Sequence, residues 1–323
     1  GSGGGAWPAA MRMPARPPSW WSPGWWSARA SSICSRRCRP SSDSARDLPQ
    51  PITPITINGG GNITLDGNNA VRILRVTQFV TVQLNGLTFT KGSADQGGAI
   101  QNIGNLTINN CTISGNTVYG SGGGIQSDFT SLTIANSTIS GNSSNGGGGG
   151  IEVLGGALSI TNSTISGNTT GDIGGGLSAL GGGTKNLSFV TITNNRSGDT
   201  GGGGIYGNAT IRNSLITGNF SGTGSVALDC AESAASTWTG SNLVGSSGNN
   251  RGCGTGAGRT TNPNSVANTL SALANNGGAT LTHALVTLSP AQNLVATGQC
   301  GVIGSETMTL TPDQHGTARP QFN

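Results

Sequence analysis

The chain reads as all-β: a parallel β-helix, a solenoid with about 25 residues per coil and three short strands in each. Three observations predict it. The first is a phrase, Thr112-Ile113-Ser114-Gly115-Asn116, that returns at 138–142, 164–168, 191–195 and 215–219, its closing asparagines stepping by 26, 26, 27 and 24 residues. The second is a glycine run closed by one aliphatic residue at Ile100, Ile125, Ile151, Leu177 and Ile205, with steps of 25, 26, 26 and 28. Two markers sharing one period indicate stacked supersecondary units. The third is that apolar residues alternate in short runs separated only by Gly, Asn and Ser turns. Such turns are too short for the crossovers that would return the strands to an ordinary parallel sheet. Successive units therefore have to coil. An antiparallel sandwich also offers short strands and turns, but it gives no reason for a constant period.

Within a unit the three runs are Gly-Ile-Gln/Glu, Leu-Thr-Ile and Thr-Ile-Ser, each with the alternation of a half-buried strand. Stacked one coil on the next, Ile113, Ile139, Ile165, Ile192 and Ile216 form an inward column, and Leu106, Leu132, Leu158 and Leu187 form a second. Burying each side chain contributes about 1.5–3 kcal/mol before the entropy of ordering the coil is subtracted. Asn116, Asn142, Asn168, Asn195 and Asn219 are expected to stack as an amide ladder, beside glycines that allow the positive φ of a sharp corner.

Three regions follow in order. Residues 1–50 hold five of the six Trp, seven Arg against Asp43 and Asp47, and no Lys or periodicity. They read as a disordered or non-native basic arm rich in Trp and Pro. Met11-Arg12-Met13 is not followed by the apolar stretch of a secretion signal. The β-helix spans 51–225, opening on less regular coils from Ile52 that cap the stack. Residues 226–323 form a closing region: a loop bracketed by Cys230 and Cys253, then a segment turning at Asn275-Asn276-Gly277-Gly278 and expected to close the far end of the helix.

With 57 Gly among 323 residues, 9% charged and 4% aromatic, the chain lacks the large side chains of a conventional core. A solenoid needs fewer. The formal charge of +4 arises in the first 50 residues, which carry +5; the remainder is −1 and offers no electrostatic footprint for nucleic acid. No run of 18 apolar residues predicts a transmembrane helix. Of the six cysteines, Cys230 and Cys253 are the best disulfide pair, because they close a Gly/Ser-rich loop with little core of its own. Such a bridge implies an oxidising compartment. Cys111, standing where later repeats have Ser137 and Ser163, reads as an isolated thiol, and Cys34-x3-Cys38 lacks partners at zinc spacing.

Gly97-Gly98-Ala99-Ile100 followed by Ile113-Ser114-Gly115-Asn116 resembles the repeats of polymorphic outer-membrane and related bacterial surface proteins, with Ile where that family carries Phe. The segment 273–285 with Ser289-Pro290-Ala291, Asp313-Gln314-His315-Gly316 and Arg319-Pro320 resembles the choice-of-anchor Q region that follows such β-helices. His315 stands where that family usually has Arg, and its further Cys-containing segment is not present before Asn323. The resemblance implies a right-handed coil and an exported bacterial protein at the cell surface or outer membrane, often adhesive. It also implies a truncated anchor-type tail in which Cys300 has lost its partner.

β-Helices also include polysaccharide lyases and glycoside hydrolases, which need paired carboxylates or a base with bound calcium. The row after the glycines reads Gln101, Gln126, Glu152, Ser178 and Tyr206, a single carboxylate, and both histidines, His283 and His315, lie in the tail. No catalytic residue is assigned, and the balance leans against an enzyme. No cofactor is called for. Asp172 and Asp199 precede glycine runs at similar register, with Asp95 further down; stacked acids of this kind bind Ca²⁺, although each coil supplies a single ligand and solvated loop acids need no metal. The candidate ligand face is the outer side of the third strand, where Thr112/Ser114, Thr138/Ser140, Thr164/Ser166 and Thr191/Thr193 make two hydroxyl columns. Such an array suits a polysaccharide or cell-surface glycan, or ordered water as on an ice-binding solenoid, and is also what any soluble β-face displays. The expected function is a structural or adhesive module.

Overall fold

The computed structural model describes residues 50–198, 201–222, 226–231, 236–245, 253, 258–261, 269–292, 294 and 313–315. The basic arm, Asp199, Cys34, Cys38, Cys300 and Arg319-Pro320 lie outside the described residues. No α-helix occurs among those described. The strands stack as a parallel β-solenoid of about seven turns, each close to 26 residues.

One coil illustrates the whole. Ile125–Asp128 lies in a seven-stranded sheet that runs from Leu74–Val76 to Cys230–Ala231. Ser131–Ala135 and Thr138–Ser140 both enter a fifteen-stranded sheet, and Ser143–Ser144 lies in a second seven-stranded sheet of two-residue strands. The large sheet is continuous because Thr81–Thr90 pairs with Asn105–Asn109 through one half and with Thr112–Ser114 through the other, its two halves meeting at Gly86, φ +60°. Later coils turn at the same point, where Asn110, Asn136, Asn162, Phe189 and Asn213 all have φ near +50°. Ile55–Asp66 pairs with Thr81–Thr90 alone and caps the first coil.

Register explains the core. Ile113, Ile139, Ile165, Ile192 and Ile216 are successive partners and fully buried, with Phe89 before them. Leu106, Leu132 and Leu158 stack likewise, but the place after Leu158 belongs to Lys185. Leu187 instead continues the column of Ile108, Ile134 and Ile160, which corrects the second column expected from the sequence. The turn 181–184 has one residue more than its counterpart 155–157, which sets Lys185 opposite Leu158, and Lys185 meets that inward position by turning its ammonium to the carbonyls of Gly181 and Gly182 at 2.7 and 3.0 Å. Burial pushes its pKa down.

The corner asparagines form a continuous ladder. Each Oδ1 accepts from the backbone N–H and the Nδ2 of the preceding asparagine, at 2.8–3.1 Å from Asn116 through Asn219. Each Nδ2 also donates to a carbonyl of the preceding coil, as from Asn142 to Ile113. Asp229 ends the ladder by accepting twice from Asn219. The residues just before these rungs, Gly115, Gly141, Gly167, Asn194 and Gly218, sit at φ between +58° and +70°, a region open to Gly and tolerated by Asn. A parallel device uses hydroxyls: Ser137 and Ser163 accept from the backbone N–H of Cys111 and Ser137, and each donates to the carbonyl two residues before it. Cys111 occupies the first rung of that series as a buried free thiol.

The stack does not stop where the sequence rhythm does. Cys230 follows Ile205 in the inward column, Trp238 follows Ile211, and Leu243 and Val244 follow Leu215 and Ile216. Cys230 is bridged to Cys253, and the Trp238 indole N–H donates to the Cys253 carbonyl. The segment expected to close the far end does something else. Leu270–Ala274 and Thr282–Leu285 form an antiparallel hairpin that lies against the side of the helix.

Candidate ligand-binding face

The eight hydroxyl residues chosen from the sequence fall in two in-register outward columns, Thr112–Thr138–Thr164–Thr191 and Ser114–Ser140–Ser166–Thr193. Their middle is covered. Thr138 donates to the Leu281 carbonyl at 2.5 Å, Thr164 donates to Gln314 Oε1 at 2.9 Å, and Ser166 bonds His283 Nε2 at 2.8 Å. Gln314 Nε2 reaches Thr138 at 3.1 Å and Thr280 at 2.7 Å, while Thr280 donates to the Asn136 carbonyl. As a result Thr138, Ser140, Thr164, Ser166 and Thr193 are buried, while Thr112, Ser114 and Thr191 stay half-buried. The hydroxyls serve as the seat of the C-terminal hairpin.

A signal for this cover is present in the chain. The threonine column continues in register to Leu215 and Leu243, outward positions where a solvent-facing row would keep hydroxyls. These leucines are buried with Leu270, and Ala291 and Leu294 pack beside them. The hairpin thus meets apolar residues at one end of its path and hydroxyls at the other. His283 joins both sides: its Nδ1 donates to the Ser271 carbonyl at 2.7 Å, which leaves Nε2 to accept from Ser166 in the neutral ring. Burial holds its pKa below the usual histidine value.

The neighbouring flank of the large sheet remains open. Here Gln83, Thr107, Thr133, Ser159, Asn186 and Thr210 follow one another in register, all at least partly exposed. Beside them runs Thr81, Asn105, Ser131 and Ala157. Neither row carries a charge from 81 to 210. Hydroxyls and carboxamides both donate and accept, so the flank can bond a polyhydroxyl surface in either sense.

Among the acidic residues, Glu152 stands apart. It follows Gln126 and precedes Ser178 in the outward row of the first sheet, yet it is only 4% exposed because the glycine run folds over it, with Gly147 against its carboxylate. Burial pushes its pKa up to about 7, with Asp128 and Asp172 adding repulsion against a lowering hydrogen bond from Ser121. Asp95 and Asp172 are exposed, Asp199 lies outside the described residues, and among the described residues no three His, Cys, Asp or Glu side chains group as metal ligands. No helix among the described residues is long and apolar enough to cross a membrane. Comparison with family models, with curated proteins and with solved structures finds no match for this chain.

Proposed function

We propose that the chain is a secreted or surface-displayed bacterial β-helix that acts as a structural and adhesive module and holds glycan on its open, uncharged flank. The observation that carries this reading is the row from Gln83 to Thr210: neutral donors and acceptors repeat at one strand spacing, about 4.8 Å, on a backbone that cannot collapse. Side chains held this way lose little freedom on binding, which favours weak but repeated contacts along an extended ligand. The Cys230–Cys253 bridge supports export to an oxidising compartment. The Gly97-Gly98-Ala99-Ile100 phrase and the Asn275-Asn276-Gly277-Gly278 tail support kinship with polymorphic outer-membrane repeats and the choice-of-anchor Q region. The test is a glycan array probed with the full chain, followed by mass spectrometry of any retained glycan. Retention without shortening is expected; no retention on any glycan, or release of cleaved products, overturns the reading.

A further inference from the structure

The corner that borders the open flank is built against its own backbone preference. Phe79, Ile103, Phe129 and Gly155 each stand two residues before in-register partners, Thr81, Asn105, Ser131 and Ala157, so they form one column down the corner. At Gly155 the backbone is left-handed, φ +75°, as glycine allows. Phe79 and Phe129 adopt the same region, φ +65° and +54°, where a bulky side chain is a steric outlier. Their rings are not recruited to the core in exchange. Phe79 is 87% exposed and Phe129 79%, in a chain with only 4% aromatic residues. Gly155 leaves room for the Phe129 ring, since a Cβ there would lie 2.8 Å from it. With one coil between them, the two residues stand about 9.6 Å apart along the helix axis. Ile103, half-buried, fills the step between.

We propose that this corner and the rows beside it form a binding platform for an extended neutral polysaccharide, with Phe79 and Phe129 stacking on sugar faces and Asn105, Thr107, Ser131 and Thr133 bonding the hydroxyl fringe. This rests on the glycan-binding reading above and names its site and its ligand class. An aromatic face packs well on a ring that presents C–H bonds and tolerates the polar edge around it. The absence of charge from the adjoining rows sets neutral glycans apart from acidic ones: an acidic chain would give up hydration with no cation to receive it. The polar rows match hydroxyls in both donor and acceptor sense. The covered threonine columns contribute nothing to this site.

The test uses the full chain and affinity electrophoresis against soluble neutral glucan, xylan and mannan, with polygalacturonate as the acidic arm. Phe79→Asn and Phe129→Asn remove the rings and put a residue that suits left-handed backbone in their place, so folding is not the casualty. Each is expected to weaken binding to a neutral polysaccharide roughly tenfold without lowering the melting temperature. Thr133→Lys is expected to weaken it as well, and Tyr119→Asn, an exposed aromatic on another corner, to leave it unchanged. If the chain binds neutral glycan and the double Phe variant binds equally well, the platform is wrong while the general reading stands. Preference for polygalacturonate also overturns the platform. If no polysaccharide binds, both fall.

Discussion

Replacing Asn142 by Ala tests whether the buried amide ladder holds the coils together. The Asn142 side chain makes four hydrogen bonds: it accepts from the Asn116 N–H and Nδ2 at 3.1 and 2.9 Å, and donates to the Ile113 carbonyl and Asn168 Oδ1 at 3.0 and 2.9 Å. In the alanine variant the Asn116 N–H and the Ile113 carbonyl lose these partners at a site from which water is excluded, while Asn116 Nδ2 keeps its bond to Phe89. Each buried group left unmade costs about 1–3 kcal/mol, so the expected loss is roughly 2–6 kcal/mol. Equilibrium unfolding in urea measures it, with Thr133→Ala on the open flank as a control expected to stay within about 0.5 kcal/mol. A loss below about 1 kcal/mol for Asn142→Ala refutes the reasoning, because the corner would then be held by backbone pairing and glycine geometry alone.

Other expectations follow from the same structure. Because the folded-state pKa of Glu152 is raised to about 7 from 4.5, its proton stabilises the fold below pH 4.5. That contribution, roughly 3 kcal/mol, is lost as pH rises from 4.5 to 7. Subtracting the urea-derived stability of Glu152→Gln from that of the parent at each pH isolates the effect, and a flat difference refutes it. Gln314→Ala removes the bonds to Thr138, Thr164 and Thr280, so amides of Thr282–Leu285 are expected to exchange faster by hydrogen-exchange mass spectrometry; unchanged protection means the hairpin is held by other contacts. The Cys111 thiol, buried and pushed above its usual pKa by that burial, is expected to resist alkylation until the chain unfolds, as peptide-resolved mass spectrometry would record. Reducing Cys230–Cys253 is expected to cost about 2–4 kcal/mol, measured by urea unfolding with and without reductant.

The period of the asparagines and glycines was enough to place Ile113, Ile139, Ile165, Ile192 and Ile216 in one column and to align the corner amides, since a fixed step per coil leaves no other register. It was not enough at 180–187. There one inserted residue sets Lys185 opposite Leu158 and Leu187 opposite Ile160, and the inward lysine is satisfied by the carbonyl of Gly181. The continuation of the stack through Cys230, Trp238 and Val244 was likewise hidden, because these coils keep the inward positions while discarding the Ser-Gly-Asn phrase. Leu215 was the one legible hint that the threonine face has a cover.

Local sequence determined the coil, because alternation and turn residues act within a single unit and repeat in the next. Only the tertiary structure decided which polar face meets solvent, since residues 270–285 and 313–315 fold back across more than a hundred positions to reach Thr138 and Thr164. It also decided that Phe79 and Phe129, fifty residues apart, share one exposed corner. Neither fact has a period to announce it, because contact between distant segments is set by what packs and bonds in space.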